Sequence, residues 1–396
     1  MTSSSGRRAD IDGLRAVAVL LVSAFHMFPN TAGRGFVGVD IFFVLSGFLI
    51  GGIIFRQLDG GRFSFLDFYA HRARRIFPPL ILLLTTSLAV GWFTFPAVKL
   101  RDLGQMTAEC ALFVQNLAWL DYKNPGAIPE GGKHLRHLWS LALEEQFYLA
   151  FPLAVWLIHR ARLNRPLLLG AVLVASVATH IAIYPTSGFH AYIFPLARAW
   201  ELMAGALAAH WAGGHGDSGH GDGGATRGPA DPRVASAASL LGLGLLLLSQ
   251  MLVRWPTSYP VWHGALPVLG TLFLLLAGPQ GWVNRTLLAT RPAVWLGGIS
   301  YSLYLWHEVL VSLALPAIGI EPSRAARVIC LLVSIAVAAI STHLVERPLR
   351  ESKRRPGAVA VGLTLLLAAV GAAGYVCFLA DGFPERVLAA AGARGR

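Results

Sequence analysis

Residues 9–26 read ADIDGLRAVAVLLVSAFH, an apolar run of helix length with Asp12 and Arg15 near one end and His26 at the other. Ionisable side chains in a membrane-length run are expensive and are functional-site candidates by default. His26 lies about a turn before the connection at 30–35, and Asp40 about a turn after it. With a rise of ~1.5 Å per residue, the two sit at similar depth on neighbouring helices. A carboxylate on one imidazole nitrogen fixes the tautomer and raises the basicity of the other. A general base for a hydroxyl needs that basicity. The same pair could equally cap the hairpin, and spacing alone does not choose.

Three later segments repeat the pattern. HLWSLALEEQFYL, from His137, places Glu144 and Glu145 in the outer half of a span. Neighbours on a helix point about 100° apart, so one can orient or bind substrate while the other bonds within the bundle. Trp139, Phe147 and Tyr148 suit an interfacial belt, or a wall on which a sugar stacks. PLARAWELMAGAL spaces Arg198 and Glu201 i,i+3, which allows an intrahelical ion pair or a substrate contact. LGGISYSLYLWHEVL gives a polar face of Tyr301, Tyr304, Trp306, His307 and Glu308. His307 reaches the outer half, as His26 does, and Tyr304 could donate to a developing oxyanion. On the opposite side, HRARRIFPPL carries Arg72, Arg74 and Arg75. Three guanidinium groups suit a phosphate-bearing ligand, or plain anchoring at lipid headgroups. The tract at 212–233, with His215, Asp217 and His220, reads as a flexible linker rather than a metal site, since no ligand spacing recurs.

The elements that must position these residues are membrane helices. The 396-residue chain is 55% hydrophobic and 14% charged, against about 25% charged in soluble domains. Its formal net charge of +12 falls in short loops between apolar runs, so the excess marks cytoplasmic loops and not a nucleic-acid surface. Cys110, Cys330 and Cys377 share no motif. The first run holds charges and is followed by many more runs, so it is a retained span and not a signal peptide. Spans of about 20 residues fall near 13–30, 36–55, 76–97, 138–160, 167–185, 191–211, 234–254, 262–279, 293–316, 324–345 and 357–380. Each satisfies its own backbone as a helix. The arginine-rich loops near 56–75, 160–165 and 347–355 lie inside if 103–121 is re-entrant or interfacial. The N-terminus is then cytoplasmic and the C-terminus extracytoplasmic. The expected fold is all-α, a polytopic membrane helix bundle of about ten core spans plus one extra C-terminal span. Its division is 1–350 as the transmembrane domain and 351–396 as the added helix and tail.

Seven pieces occur together in order: DGLRAVAVLLVSAFH, GFVGVDIFFVLSGFLI, YAHRARRIFPPL, HLWSLALEEQFYL, RAWELMAGAL, ISYSLYLWH and VERPLR. Over roughly residues 9–350 the chain resembles the membrane acyltransferase-3 family of bacterial integral membrane O-acyltransferases. The resemblance implies a donor of cytoplasmic acyl-CoA, acetyl-CoA first. It implies an acceptor hydroxyl on a surface polysaccharide, a lipid-linked glycan or a secreted glycoside, and a place in the bacterial inner membrane. The family's essential first-span histidine falls on His26 and its first-span arginine on Arg15. Its basic cytoplasmic motif falls on Arg72, Arg74 and Arg75, which lifts the phosphate reading above anchoring. Longer members carry an extracytoplasmic esterase-like domain after the last span. Here DGFPERVLAAAGARGR follows that span, which raises the expectation of a separate esterase-like partner or of unaided transfer.

The mechanism expected from the sequence docks the nucleotide on Arg72, Arg74 and Arg75. The thioester then reaches the outer half near His26. His26, oriented by Asp40, deprotonates the acceptor or accepts the acyl group briefly. Glu144, Glu145, Arg198, Glu201, Trp139, Tyr304 and His307 line the acceptor side, and no metal is needed. A transporter or flippase of a lipid-linked glycan is the alternative, since intramembrane charges suit it too. The absence of a matched pair of broken helices in two halves weighs against it.

Overall fold

The computed structural model describes residues 8–122, 128–213, 231–253, 259–314, 323–352 and 356–386. His215, Asp217 and His220 lie outside the described residues, as does the tail after residue 386. The described residues form helices and no strand: α1 (Ala9–Met27), α2 (Gly38–Asp59), α3 (Phe65–Thr94), α4 (Ala97–Ala111), α5 (Trp139–Arg160), α6 (Arg165–Ile183), α7 (Pro195–Gly213), α8 (Pro232–Leu252), α9 (Val261–Ala277), α10 (Arg291–Gly298), α11 (Ser300–Val309), α12 (Arg324–Ser341) and α13 (Pro356–Leu379). Seven helical stretches are long and apolar enough to cross a membrane. The protein is thus an all-α, multi-pass membrane bundle.

One expected span takes a different form, and the stretch expected to be re-entrant or interfacial turns. The stretch 293–316 is broken: α10 ends at Gly298, α11 starts at Ser300, and a wider turn, Leu310–Ala314, follows. The stretch 103–121 also turns. α4 stops where Phe113 adopts a left-handed φ of 55°, with the Val114 N–H returning to the Glu109 carbonyl.

The helices divide between two compact units, Met1–Phe63 with Phe147–Ser300, and Ser64–Gln146 with Tyr301–Arg396. In the first unit glycines let backbones touch. A Cβ on Gly47 would strike the Leu202 carbonyl, and one on Gly205 the Val44 carbonyl, which fixes α2 against α7. Gly13 meets Leu288 and Gly297 meets Asp12 in the same way. The start of α1 is tied down as well. Asp10 accepts from Arg8 (2.9 and 2.6 Å) and from Asn284 (2.7 Å), while Arg8 also donates to the Leu275 carbonyl (3.1 Å).

In the second unit Gly104 and Gly374 bring α4 and α13 together. Pro78 and Pro79 interrupt α3 and remove two of its backbone donors. Arg386 reaches back to the carbonyls of Trp92 and Phe95.

At the end of α5 the Leu163 N–H bonds to the Ile158 carbonyl (3.0 Å) and the Arg162 N–H to that of His159 (3.1 Å). This is the glycine-favouring helix stop, yet Arg162 occupies it with φ 54°, at a cost of about 1–2 kcal/mol.

Candidate active site

In the first unit the Asp40 carboxylate is completely buried. Arg198 donates to its Oδ1 and the Tyr259 phenol to its Oδ2 at 2.6 Å. Arg198 also donates to Glu201 Oε2 at 3.0 Å, from one turn earlier on α7. The guanidinium faces the rings of Tyr192 (4.7 Å), Phe43 (5.3 Å) and Tyr259 (5.4 Å). A guanidinium against ring faces gains from their quadrupoles. Arg198, Glu201 and Asp40 have no accessible surface. They form a solvent-excluded ion cage, in which Arg198 Nε and Nη1 and Glu201 Oε1 have no hydrogen bond among the described residues, so Arg198 and Glu201 do not line an open acceptor surface as expected.

The cage corrects the expected His26–Asp40 pair. Asp40 bonds to Arg198 and Tyr259, not to His26. The reason lies in the connection. It holds two short turns, Pro29–Ala32 and Gly35–Val37, which return the chain along α1. Gly35 packs on the Leu21 carbonyl, and Gly38 on that of Ala18. Asp40 therefore starts its descent about eight residues below His26, roughly 12 Å by helical rise. His26 sits half-buried in the last turn of α1 beside Phe25, ring centroids 4.9 Å apart. Arg15 is half-buried in the first half of the same helix.

The second unit gathers a different cluster. His307 is fully buried, and its Nδ1 faces the carbonyls of Tyr304 (2.7 Å) and Leu303 (3.2 Å). A carbonyl only accepts, so Nδ1 carries a proton. His137, its ring centroid 5.2 Å away, turns Nε2 to the Leu305 carbonyl at 3.1 Å. Glu308 pairs with Arg136 at 3.5 Å. His137, Ser140 and Arg136 were missed as site residues. The signal was the HLWS opening of the motif, which puts His137 and Ser140 one turn apart.

Tyr304 is not the expected oxyanion donor. Its phenol donates to the His137 carbonyl at 2.6 Å, and Ser140 Oγ lies 2.6 Å from the phenol oxygen. A phenol has one proton, and a backbone carbonyl already holds it. Trp139 is not at an interface either, because it is 8% exposed.

The basic segment separates into unlike members. Arg74 donates to the carbonyls of Leu349 (2.9 Å), Arg350 (2.6 Å) and Ser352 (2.7 Å). It caps the helix Arg347–Arg350 and is 4% exposed, so its donors are not available to a phosphate. Arg72 approaches Glu145 at 3.9 Å, a charge contact beyond hydrogen-bond reach. No hydrogen bond reaches Glu145 Oε1 among the described residues. Glu145 thus belongs with the basic segment rather than with an outer acceptor site. Nearby, the Tyr301 phenol donates to the Ile76 carbonyl in the proline-interrupted turn of α3 (2.9 Å). Glu144 is half-buried on the same helix as Glu145.

Polar clusters on both imidazole and carboxylate, held within apolar spans, define a membrane protein built for chemistry on a buried group. The acyltransferase-domain family model matches residues 8–343, and the chain belongs to that family. It is 29% identical over 359 residues to the peptidoglycan O-acetyltransferase OatA of Listeria monocytogenes, covering 86% of this chain and 56% of the relative. It is 26% identical over 358 residues to the O-acetyltransferase OatA of Staphylococcus aureus, covering 86% and 57%. The chain thus spans about half the length of these curated relatives. No solved structure matches it significantly.

Proposed function

We propose that this chain transfers an acetyl group from acetyl-CoA to a sugar hydroxyl of a cell-envelope glycan, with peptidoglycan as the first acceptor to test. The observation that carries the reading is the family match across 8–343, joined to relatives named for O-acetylation of peptidoglycan. The acceptor oxygen attacks the thioester carbonyl while His26 takes its proton. The C–S bond breaks, and the thiolate leaves as the thiol with that proton. A transient acyl-histidine is the other route open to the same ring. Arg72 and Arg75 hold the donor's diphosphate, with Arg74 withdrawn to its carbonyls. The protein lies in the bacterial inner membrane with its N-terminus cytoplasmic, following the arginine-rich loops.

His26→Ala tests the base. Expressed in a host lacking its own O-acetylation, the wild-type chain should yield O-acetylated muropeptides by mass spectrometry. The variant should yield at least 100-fold fewer at equal membrane abundance. Undiminished acetylation would remove His26 from the reaction.

A further inference from the structure

A cavity of about 530 Å³ opens in the first unit, where the end of α2, the α5–α6 connection and the end of α7 converge. Arg162, Arg165, His159 and His210 line it, against one carboxylate, Asp59. Asp59 accepts two bonds from Arg165, at 2.6 and 3.2 Å, and lies 3.7 Å from His159 Nδ1. Arg165 is also laid over the Phe55 ring at 4.8 Å, and the His210 ring meets that ring edge-on. Asp59 therefore holds Arg165 in place.

Arg162 is held by nothing comparable. Its side chain makes no hydrogen bond or ion pair among the described residues. It also stands in a left-handed position where glycine is the default. A strained backbone that carries a guanidinium into a cavity, without a protein carboxylate for it, is an observation from which function can be inferred. The cavity's charge is positive even after Asp59 neutralises Arg165.

We propose that this cavity binds a phosphate group through Arg162, with His159 and His210 as further donors. On the orientation above, the cavity faces the cytoplasm. Two ligands offer this chemistry there: the 3′-phosphate end of the acyl-CoA donor and the headgroup of an anionic lipid. The first source rests on the acyl-CoA reading; the second does not.

The test uses the full chain in nanodiscs of phosphatidylcholine, with and without phosphatidylglycerol. The probes are adenosine 3′,5′-bisphosphate, read by thermophoresis, and retained phosphatidylglycerol, read by native mass spectrometry. Arg162→Gly removes the guanidinium while fitting the backbone, so folding is preserved. Loss of one charge-assisted contact should weaken the bound anion at least about tenfold. Weaker nucleotide binding with unchanged lipid retention supports the site and names the donor. Lost lipid retention with unchanged nucleotide binding supports the site and names the lipid. If the wild-type chain binds acetyl-CoA and Arg162→Gly alters neither readout, the cavity proposal fails and the donor reading stands. If the wild-type chain binds no nucleotide but the variant sheds phosphatidylglycerol, the site stands and the donor reading fails.

Discussion

The two units handle buried charge in opposite ways. In the first, Arg198 is held between two carboxylates and walled by three aromatic rings, with no accessible surface. In the second, Arg72 and Glu145 stand 3.9 Å apart, with no hydrogen bond on Glu145 Oε1. Breaking a closed buried pair strands a charge in a low dielectric. A pair opposed at 3.9 Å loses less when altered. Charge inside a span therefore does not by itself mark chemistry; the two clusters differ in how closely the guanidinium meets its carboxylates.

That contrast can be broken most decisively at the cage. Arg198→Ala should destabilise by about 3–5 kcal/mol, seen as a large fall in the thermal midpoint of the purified protein. A loss below about 1 kcal/mol would erase the distinction between the units. Glu145→Gln sharpens the other side. It should leave stability within about 0.5 kcal/mol while acetyl transfer drops at least about tenfold. A melting shift as large as that of Arg198→Ala would make the pair structural instead. The smallest effect belongs to Tyr304→Phe, which loses one hydrogen bond at about 1 kcal/mol and should change kcat only a few-fold. A loss of about 10²–10³ in kcat, typical of an oxyanion donor, would return Tyr304 to that role.

Much of the fold was legible because lipid leaves the backbone few choices. Apolar runs near 36–55, 76–97, 138–160, 167–185, 234–254, 324–345 and 357–380 are long apolar helices. The break at Ile299 left a signal, Gly297–Gly298 before it and Ser300 after it, which an apolar-run reading of 293–316 passed over. The site was read in its parts but not in its pairings. The i,i+3 pairing of Arg198 and Glu201 follows from one helix and was visible; the arrival of Asp40 as a second carboxylate on Arg198 depends on where α2 meets α1. That register is set by Gly35 and Gly38 packing on carbonyls of α1, a contact that spacing along the chain does not encode. Arg74 failed for a similar reason. Its partners lie some 275 residues away, on carbonyls whose availability no side-chain pattern announces.

Gly47 and Gly205 give the cage a vulnerability at residues that carry no charge themselves. Each sits where its missing methyl lets the facing backbone come into contact. An alanine at either place would act as a wedge between α2 and α7 and admit solvent to Asp40 and Arg198. An outwardly mild, uncharged replacement should thus resemble loss of the ion pair itself.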